Sequence, residues 1–98
     1  MATFDIYRNG RVYLVDVQSD LLDGLNTVLV VPLMPLDIAP IPIARLNPII
    51  EIAGERYSMV TQYMAATPTR ALGRPVGNLK FSSYDQIKPA LDMIFLGF

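Results

Sequence analysis

The sequence predicts a mainly β, α+β domain: antiparallel hairpins followed by one helix at the C-terminal end. Three observations carry this. An Asn-Gly pair sits between two alternating apolar runs near the start, the signature of a two-residue hairpin. A β-branched run, "TVLVVPL", follows at Thr27–Leu33 and reads as a buried strand. Near the end, Tyr84, Ile87, Leu91, Ile94 and Phe95 recur at helical spacing.

The first hairpin is "FDIYRNGRVYLVDV". With Asn9-Gly10 as the central pair of a type I′ turn, Arg8 faces Arg11, Ile6 faces Tyr13 and Phe4 faces Val15. Phe4, Ile6, Tyr13 and Val15 then share the core side. Arg8 and Arg11 share the rim, either as a solvated turn or as a dock for an acidic partner. In "DVQSDLLDGLN", Asp20, Asp23 and Gly24 are turn formers around Leu21 and Leu22. Those two leucines are either a local plug or a contact surface, and the plug is the simpler expectation.

Thr27–Leu33 is expected to be a central strand buried on both faces. Pro32 should mark its end, since proline cannot donate to a ladder. Prolines 32, 35, 40, 42 and 48 then mark an irregular connection from Met34 to Asn47. Its Ile38, Ile41, Ile43 and Leu46 are expected to pack on the body. "IIEIAGERYSMV" predicts a second hairpin, with strands Ile49–Ile52 and Arg56–Val60 and a turn at Ala53-Gly54. A further short strand is expected at Thr67–Leu72.

The last segment, "SSYDQIKPALDMIFLGF", has capping-box spacing at Ser82 and Asp85, or at Ser83 and Gln86. At ~100° per residue, Tyr84, Ile87, Leu91, Ile94 and Phe95 form one inward stripe. Asp85, Asp92, Met93 and Leu96 fall outside it. Pro89 should loosen the first turns, and Gly97 is a natural terminator.

Composition bounds the function. The 98 residues are expected to form one domain, with 52% apolar and only 17% charged residues. That is more apolar side chain than so short a chain can bury, which predicts a shared surface, most simply a homodimer. Eight basic residues against nine acidic give a net charge of −1, so no general basic excess is present for nucleic acid. With no Cys and no His, disulfides, thiol nucleophiles and Ser-His-Asp machinery are excluded. "MATFDIYRNG" lacks the basic start and apolar stretch of a signal peptide. The apolar region between Asp23 and Asp37 is too short to span a bilayer. The expectation is a cytoplasmic, soluble chain. No phosphate-binding glycine loop is present. Asp16, Asp20 and Asp23 lack the pattern of a calcium loop. Arg56, Arg70 and Arg74 are scattered.

Several stretches stand together in a familiar order: "VDVQSDLLD" (Val15–Asp23), "VVPL" (Val30–Leu33), "RYSMVTQYMAATPT" (Arg56–Thr69) and the terminal "IKPALDMIFLGF". In these the chain resembles the CcdB family, the toxin half of toxin–antitoxin pairs, over nearly its whole length. The resemblance implies an SH3-like, mainly antiparallel fold with a C-terminal helix, shared with the MazF and Kid toxins. It implies a homodimer that binds the A subunit of DNA gyrase and traps the enzyme on cleaved DNA, without catalysis, cofactor or metal. It implies a CcdA-like antitoxin that neutralises the toxin and supplies the operator contacts of the repressing complex. Carried over by position, the gyrase surface is Leu96, Gly97 and Phe98, supported by Leu21 and Leu22, with Asp92 beside them. The antitoxin docks near the first hairpin, here Arg8, Asn9, Gly10 and Arg11.

Two departures stand out. Well-known members carry tryptophan at the position of Leu96 and asparagine at that of Asp92. A second reading is therefore a decoy that binds antitoxin without poisoning gyrase. A third is an endoribonuclease of the related fold, using Arg56, Arg70 or Arg74.

Overall fold

The computed structural model describes residues 2–97. Its strands are β1 (Asp5–Asn9), β2 (Val12–Asp16), β3 (Thr27–Pro35), β4 (Ile49–Ile52), β5 (Glu55–Met59), β6 (Ala65–Pro68) and β7 (Gly77–Asn78). Short 3-10 turns occupy Asp20–Leu22, Thr61–Tyr63 and Thr69–Ala71, and one helix, α1, covers Lys80–Leu96. The strands form a single sheet in the order β4-β5-β3-β2-β1-β7, with β6 joined to β3 off that path. The strands named above pair antiparallel throughout. This curled antiparallel sheet with a C-terminal helix is the predicted α+β, SH3-like architecture.

β3 is buried on both faces, as expected, because its residues alternate between two cores. Val31 and Leu33 join Phe4, Ile6, Val15, Ile50, Tyr57, Met59, Leu79 and Ile87 on the helix side. Val28 and Val30 join Tyr7 and Leu72 on the other. The strand is longer than predicted, and Pro32 lies inside it rather than at its end. The partners explain why. The first half of β3 pairs with β6, from Thr27 to Val30, and the end with β5, from Leu33 to Pro35. The Pro32 carbonyl accepts the Val60 N–H at 2.9 Å, so this residue faces the edge where β3 changes partner. The missing N–H falls in that gap, where no ladder bond is lost.

The first hairpin keeps its predicted core side but not its register. Ile6 pairs with Val15, Arg8 with Tyr13 and Asn9 with Val12. Gly10 and Arg11 therefore form the two-residue loop, with Gly10 at φ +62° in the first central position, where a II′-type turn needs glycine. Asn9-Gly10 would have set Arg8 opposite Arg11, two like charges face to face. Instead the Arg8 guanidinium lies 4.6 Å from the centre of the Tyr13 ring. Arg11 pairs with Asp37 at 2.9 Å.

The second hairpin matches its prediction to within a residue, with Ala53 and Gly54 both left-handed at φ +52° and +81°. The strand expected at Thr67–Leu72 is shifted back to Ala65–Pro68, and Thr69–Ala71 turns as 3-10. The proline-rich connection departs further. Ile38, Ile41 and Ile43 are exposed, Ile41 to 90%, and only Leu46 of the predicted four is half-buried. Polar bonds hold the segment instead. Buried Asn47 takes the Ile43 N–H on its side-chain oxygen at 3.0 Å. Its side-chain nitrogen donates to the Met59 carbonyl and to Gln62, at 3.0 and 2.8 Å.

The helix begins before the expected caps. Asn78 Oδ1 accepts the Lys80 N–H at 2.8 Å, and Leu79 is buried at the helix start. Ser82 and Ser83 thus fall inside the first turns, and Ser83 is buried. The buried stripe is Ser83, Ile87 and Ala90, with Leu91 half-buried beside it. Tyr84 and Phe95, predicted inward, are displaced to its edge and are 44% and 63% exposed. The helix continues through Pro89 because Ile87 and Ala90 pack on either side of it, against an intrinsic cost of ~3 kcal/mol.

Ile87→Ala is expected to lower the unfolding free energy by ~2–5 kcal/mol, since it empties a fully buried site. Leu96→Ala is expected to change it by less than ~0.5 kcal/mol. Urea denaturation of the two variants beside the parent checks both.

Candidate functional site

The predicted site residues occupy three places. The first is the end of α1. Ala90 is buried and Leu91–Met93 are half-buried, and the last turn projects: Ile94, Phe95 and Leu96 are 38%, 63% and 62% exposed. Gly97 closes the helix in a left-handed conformation, its N–H bonded to the Met93 carbonyl at 3.0 Å. That geometry suits glycine and lets the chain leave the helix axis. Asp92 is half-buried and accepts the Lys88 ammonium at 2.8 Å, one turn back. Asp92 holds the Lys88 pKa above its ordinary value. Phe98, the remaining predicted contact, lies outside the described residues.

The second place is the 3-10 turn Asp20–Leu22. Leu21 is 94% exposed and Leu22 50%, so they do not pack down as the expected local plug. A three-residue turn is too short to fold its leucines onto a core that β3 and α1 already fill. Ser19 caps the turn through the Leu21 N–H at 3.2 Å. Asp20 accepts the Thr3 N–H at 2.7 Å, and both the N–H and the hydroxyl of Thr3 hold its carboxyl below the usual range.

Hydrogen bonds tie this turn to the start of the helix. Thr3 links Asp20 to Asn78, whose side chain donates to the Thr3 carbonyl at 3.1 Å and caps Lys80. Leu96 stands at the other end of α1, ~24 Å along an axis rising ~1.5 Å per residue. These bonds therefore tether Leu21–Leu22 to the beginning of α1, not to its tip.

The third place is the tip of the first hairpin. Arg8, Asn9, Gly10 and Arg11 are all exposed, but the two arginines diverge. Arg8 donates from Nε to the Gly10 carbonyl at 2.6 Å and lies over Tyr13. Arg11 is engaged with Asp37 and lowers that carboxyl's pKa. An acidic partner would compete with Asp37 for Arg11, across a surface pair worth no more than ~1 kcal/mol.

Other apolar surface was not foreseen. Phe81 is 97% exposed at the start of α1; its only sequence signal is an aromatic just ahead of the expected cap. Leu36, Pro40, Ile41, Pro42 and Ile49 line a shallow apolar groove with Arg56 at its edge. Arg56, Arg70 and Arg74 are exposed, and among the described residues none of them makes an ion pair. Likewise no group of three or more acidic residues among those described is placed to hold a metal ion. Among the described residues no helix is long and apolar enough to cross a membrane.

One carboxyl is unusual. Asp16, at the end of β2, is only 3% exposed. Burial pushes its pKa up to about 6, with Asp5 and Asp20 adding to the rise and the Gln18 N–H opposing it. The folded chain thus binds this proton more tightly than the unfolded chain does. Stability from this group is present below the ordinary aspartate value of ~3.9 and is lost as pH rises toward 6. Asp20 and Asp37, with lowered values, act with the opposite sign and below ~3.9. Asp16→Asn is expected to be more stable than the parent at neutral pH, by on the order of 1–3 kcal/mol. The gain should shrink as pH falls from 6 to 4, as followed by urea unfolding across that range.

A family model described as "CcdB protein" matches residues 3–97 of this chain.

Proposed function

The chain belongs to the CcdB family of toxins from toxin–antitoxin pairs, and on that premise we propose that it is a poison of DNA gyrase rather than an enzyme. It binds the gyrase A subunit through the projecting end of α1 and traps gyrase on cleaved DNA. The observation that carries this reading is the exposed last turn, where Leu96 stands 62% exposed beyond the last packed residues. Leu21 and Leu22 add a second apolar contact, Asp92 flanks the tip and Gly97 closes the helix there. Phe98 completes the contact by position.

In this reading the toxin acts as a homodimer in the cytoplasm. The dimer presents two copies of each apolar element and covers part of the remaining apolar surface. A ligand shifts a conformational equilibrium only by binding one state better than another. The dimer must therefore prefer gyrase with its DNA cleaved and opened. A CcdA-like antitoxin neutralises it, docking at Arg8, Asn9, Gly10 and Arg11, and brings the complex to operator DNA. The absence of a basic excess supports leaving DNA contacts to the antitoxin.

A second reading has its own observation. Leucine is under-represented among binding hot spots and tryptophan is enriched. Leu96 in place of the family tryptophan favours a decoy that keeps the antitoxin surface but loses the anchor. The endoribonuclease reading has no comparable support, since among the described residues the three arginines make no ion pair with an acid.

Supercoiling and cleavage assays with purified gyrase, DNA and ATP separate these readings. The poison yields trapped cleaved DNA. Leu96→Ala should weaken inhibition by ~10-fold or more, and Leu96→Trp should strengthen it by a similar factor. If the parent neither inhibits supercoiling nor traps cleaved DNA at excess, while still binding antitoxin, the decoy reading replaces this one. RNA degraded by the purified dimer would favour the endoribonuclease.

A further inference from the structure

Leu21 is almost fully in solvent and Leu22 half so, so burial contributes little to holding the pair in place, yet a contact surface must be presented in a fixed attitude. What fixes Leu21–Leu22 is polar and lies beneath them. Gln18 reaches across the base of the turn. Its side-chain oxygen accepts the Leu29 N–H of β3 at 3.3 Å, and its side-chain nitrogen approaches the Leu22 carbonyl at 3.5 Å. Its backbone is gripped from both sides. The Gln18 N–H donates to Asp16 Oδ1 at 2.9 Å, and its carbonyl accepts the Thr3 hydroxyl at 2.6 Å.

We propose that Gln18 and Asp16 are positioning residues for the Leu21–Leu22 surface, Gln18 latching the turn to β3 and Asp16 orienting Gln18. The inference rests on the reading of Leu21–Leu22 as a gyrase contact.

The latch is coupled to proton binding through the burial of Asp16. Its carboxyl lies under the turn, beside a cavity of about 20 Å³ that Gln18, Asp20, Asp23 and Leu22 also line. Among the described residues the charges facing it are Asp5 from β1 and Asp20 from the turn, both negative. Tyr7 of β1 lies near enough for Asp16 to raise the pKa of its hydroxyl, which burial already raises. Closed, the turn keeps water from a carboxylate with two acidic neighbours. Opened, it lets that carboxylate hydrate. The open fraction therefore rises with pH from the ordinary aspartate range to about 6, and levels off above it.

The Leu29 amide reports the latch, because Gln18 covers it. In the full chain, hydrogen-exchange protection of this amide, corrected for intrinsic rate, is expected to fall on the order of tenfold between pH 4.5 and 7. Asp16→Asn should remove that fall and keep protection high. Asp5→Asn should keep the fall with its midpoint moved down. Gln18→Ala should leave Leu29 unprotected at every pH, while the amides of Val31 and Leu33 stay protected and show the sheet to be intact. Flat protection at Leu29 in the parent, or an unchanged fall in Asp16→Asn, overturns the coupling.

A binding arm keeps this separate from the function proposed above. Gln18→Ala should weaken binding to the isolated gyrase A subunit by ~5-fold or more, about 1 kcal/mol. If the parent binds gyrase A and Gln18→Ala binds equally well with Leu29 unprotected, the positioning role is overturned. If the parent does not bind gyrase A at all, the proposed function fails, while the exchange result still decides the latch.

Discussion

The sheet depends on how β3 divides its two edges. One edge is given to β2, from Asp16–Val30 to Tyr13–Leu33. The other is shared in sequence by β6 and β5, and the strand changes partner where Pro32 has no N–H to offer. Because the two outer partners meet β3 at different points along its length, the sheet curls. Both faces of β3 then have to be covered. Ile87, Ala90 and Leu91 of the helix cover one, and the segment that carries Leu72 covers the other. Phe4, at φ +71°, is held at the seam, its carbonyl accepting the Leu79 N–H at 2.9 Å and its ring set edge-on to Tyr84. The first strand and the helix start are thereby fixed to each other.

With the core so defined, the apolar excess of the sequence is found outside it. It appears on the tip of α1, on the Asp20–Leu22 turn, on the proline-rich connection and at Phe81. These patches share a construction. In each, the backbone is held by polar groups or by helical bonds, and the apolar side chains are left over. Asn47 secures the connection, Ser19 and Gln18 secure the turn, and Gly97 closes the tip. The proposed dimer and its partners draw on surface that the fold itself does not use.

Much of the fold was legible in the sequence because alternation and helical spacing report which residues are inside. β3 and the second hairpin followed from β-branched runs and from Ala53-Gly54. The misread features turn on energies that local pattern does not contain. Asn9-Gly10 is the better turn pair in isolation, but stacking Arg8 on Tyr13 and pairing Arg11 with Asp37 favour the neighbouring register. The helix begins at Lys80 because Asn78 caps it through a residue that also bonds to Thr3, far away in the chain. That earlier start places Ser83 and Ala90, small residues with little hydrophobic signal, against the sheet, and pushes Tyr84 and Phe95 to the margin. For the site, the positions carried over from the family name Leu21, Leu22 and Leu96 as proposed contacts, and all three are exposed. The polar support beneath Leu21–Leu22 escaped notice because Thr3, Asp16 and Gln18 resemble ordinary turn residues until folding brings them together.

The helix outlasts the surface it packs on. Ile94, Phe95 and Leu96 are exposed and lie past the last packed residues, so their identity is almost free of the demands of folding. A lineage can exchange side chains at Ile94, Phe95 and Leu96 without first acquiring compensating changes in the core, because little stability is at stake there. Leucine at position 96, where the family resemblance leads one to expect tryptophan, is the kind of substitution such a position permits. If the tip is the contact surface proposed above, it can change at the pace of single substitutions while the sheet behind it stays as it is.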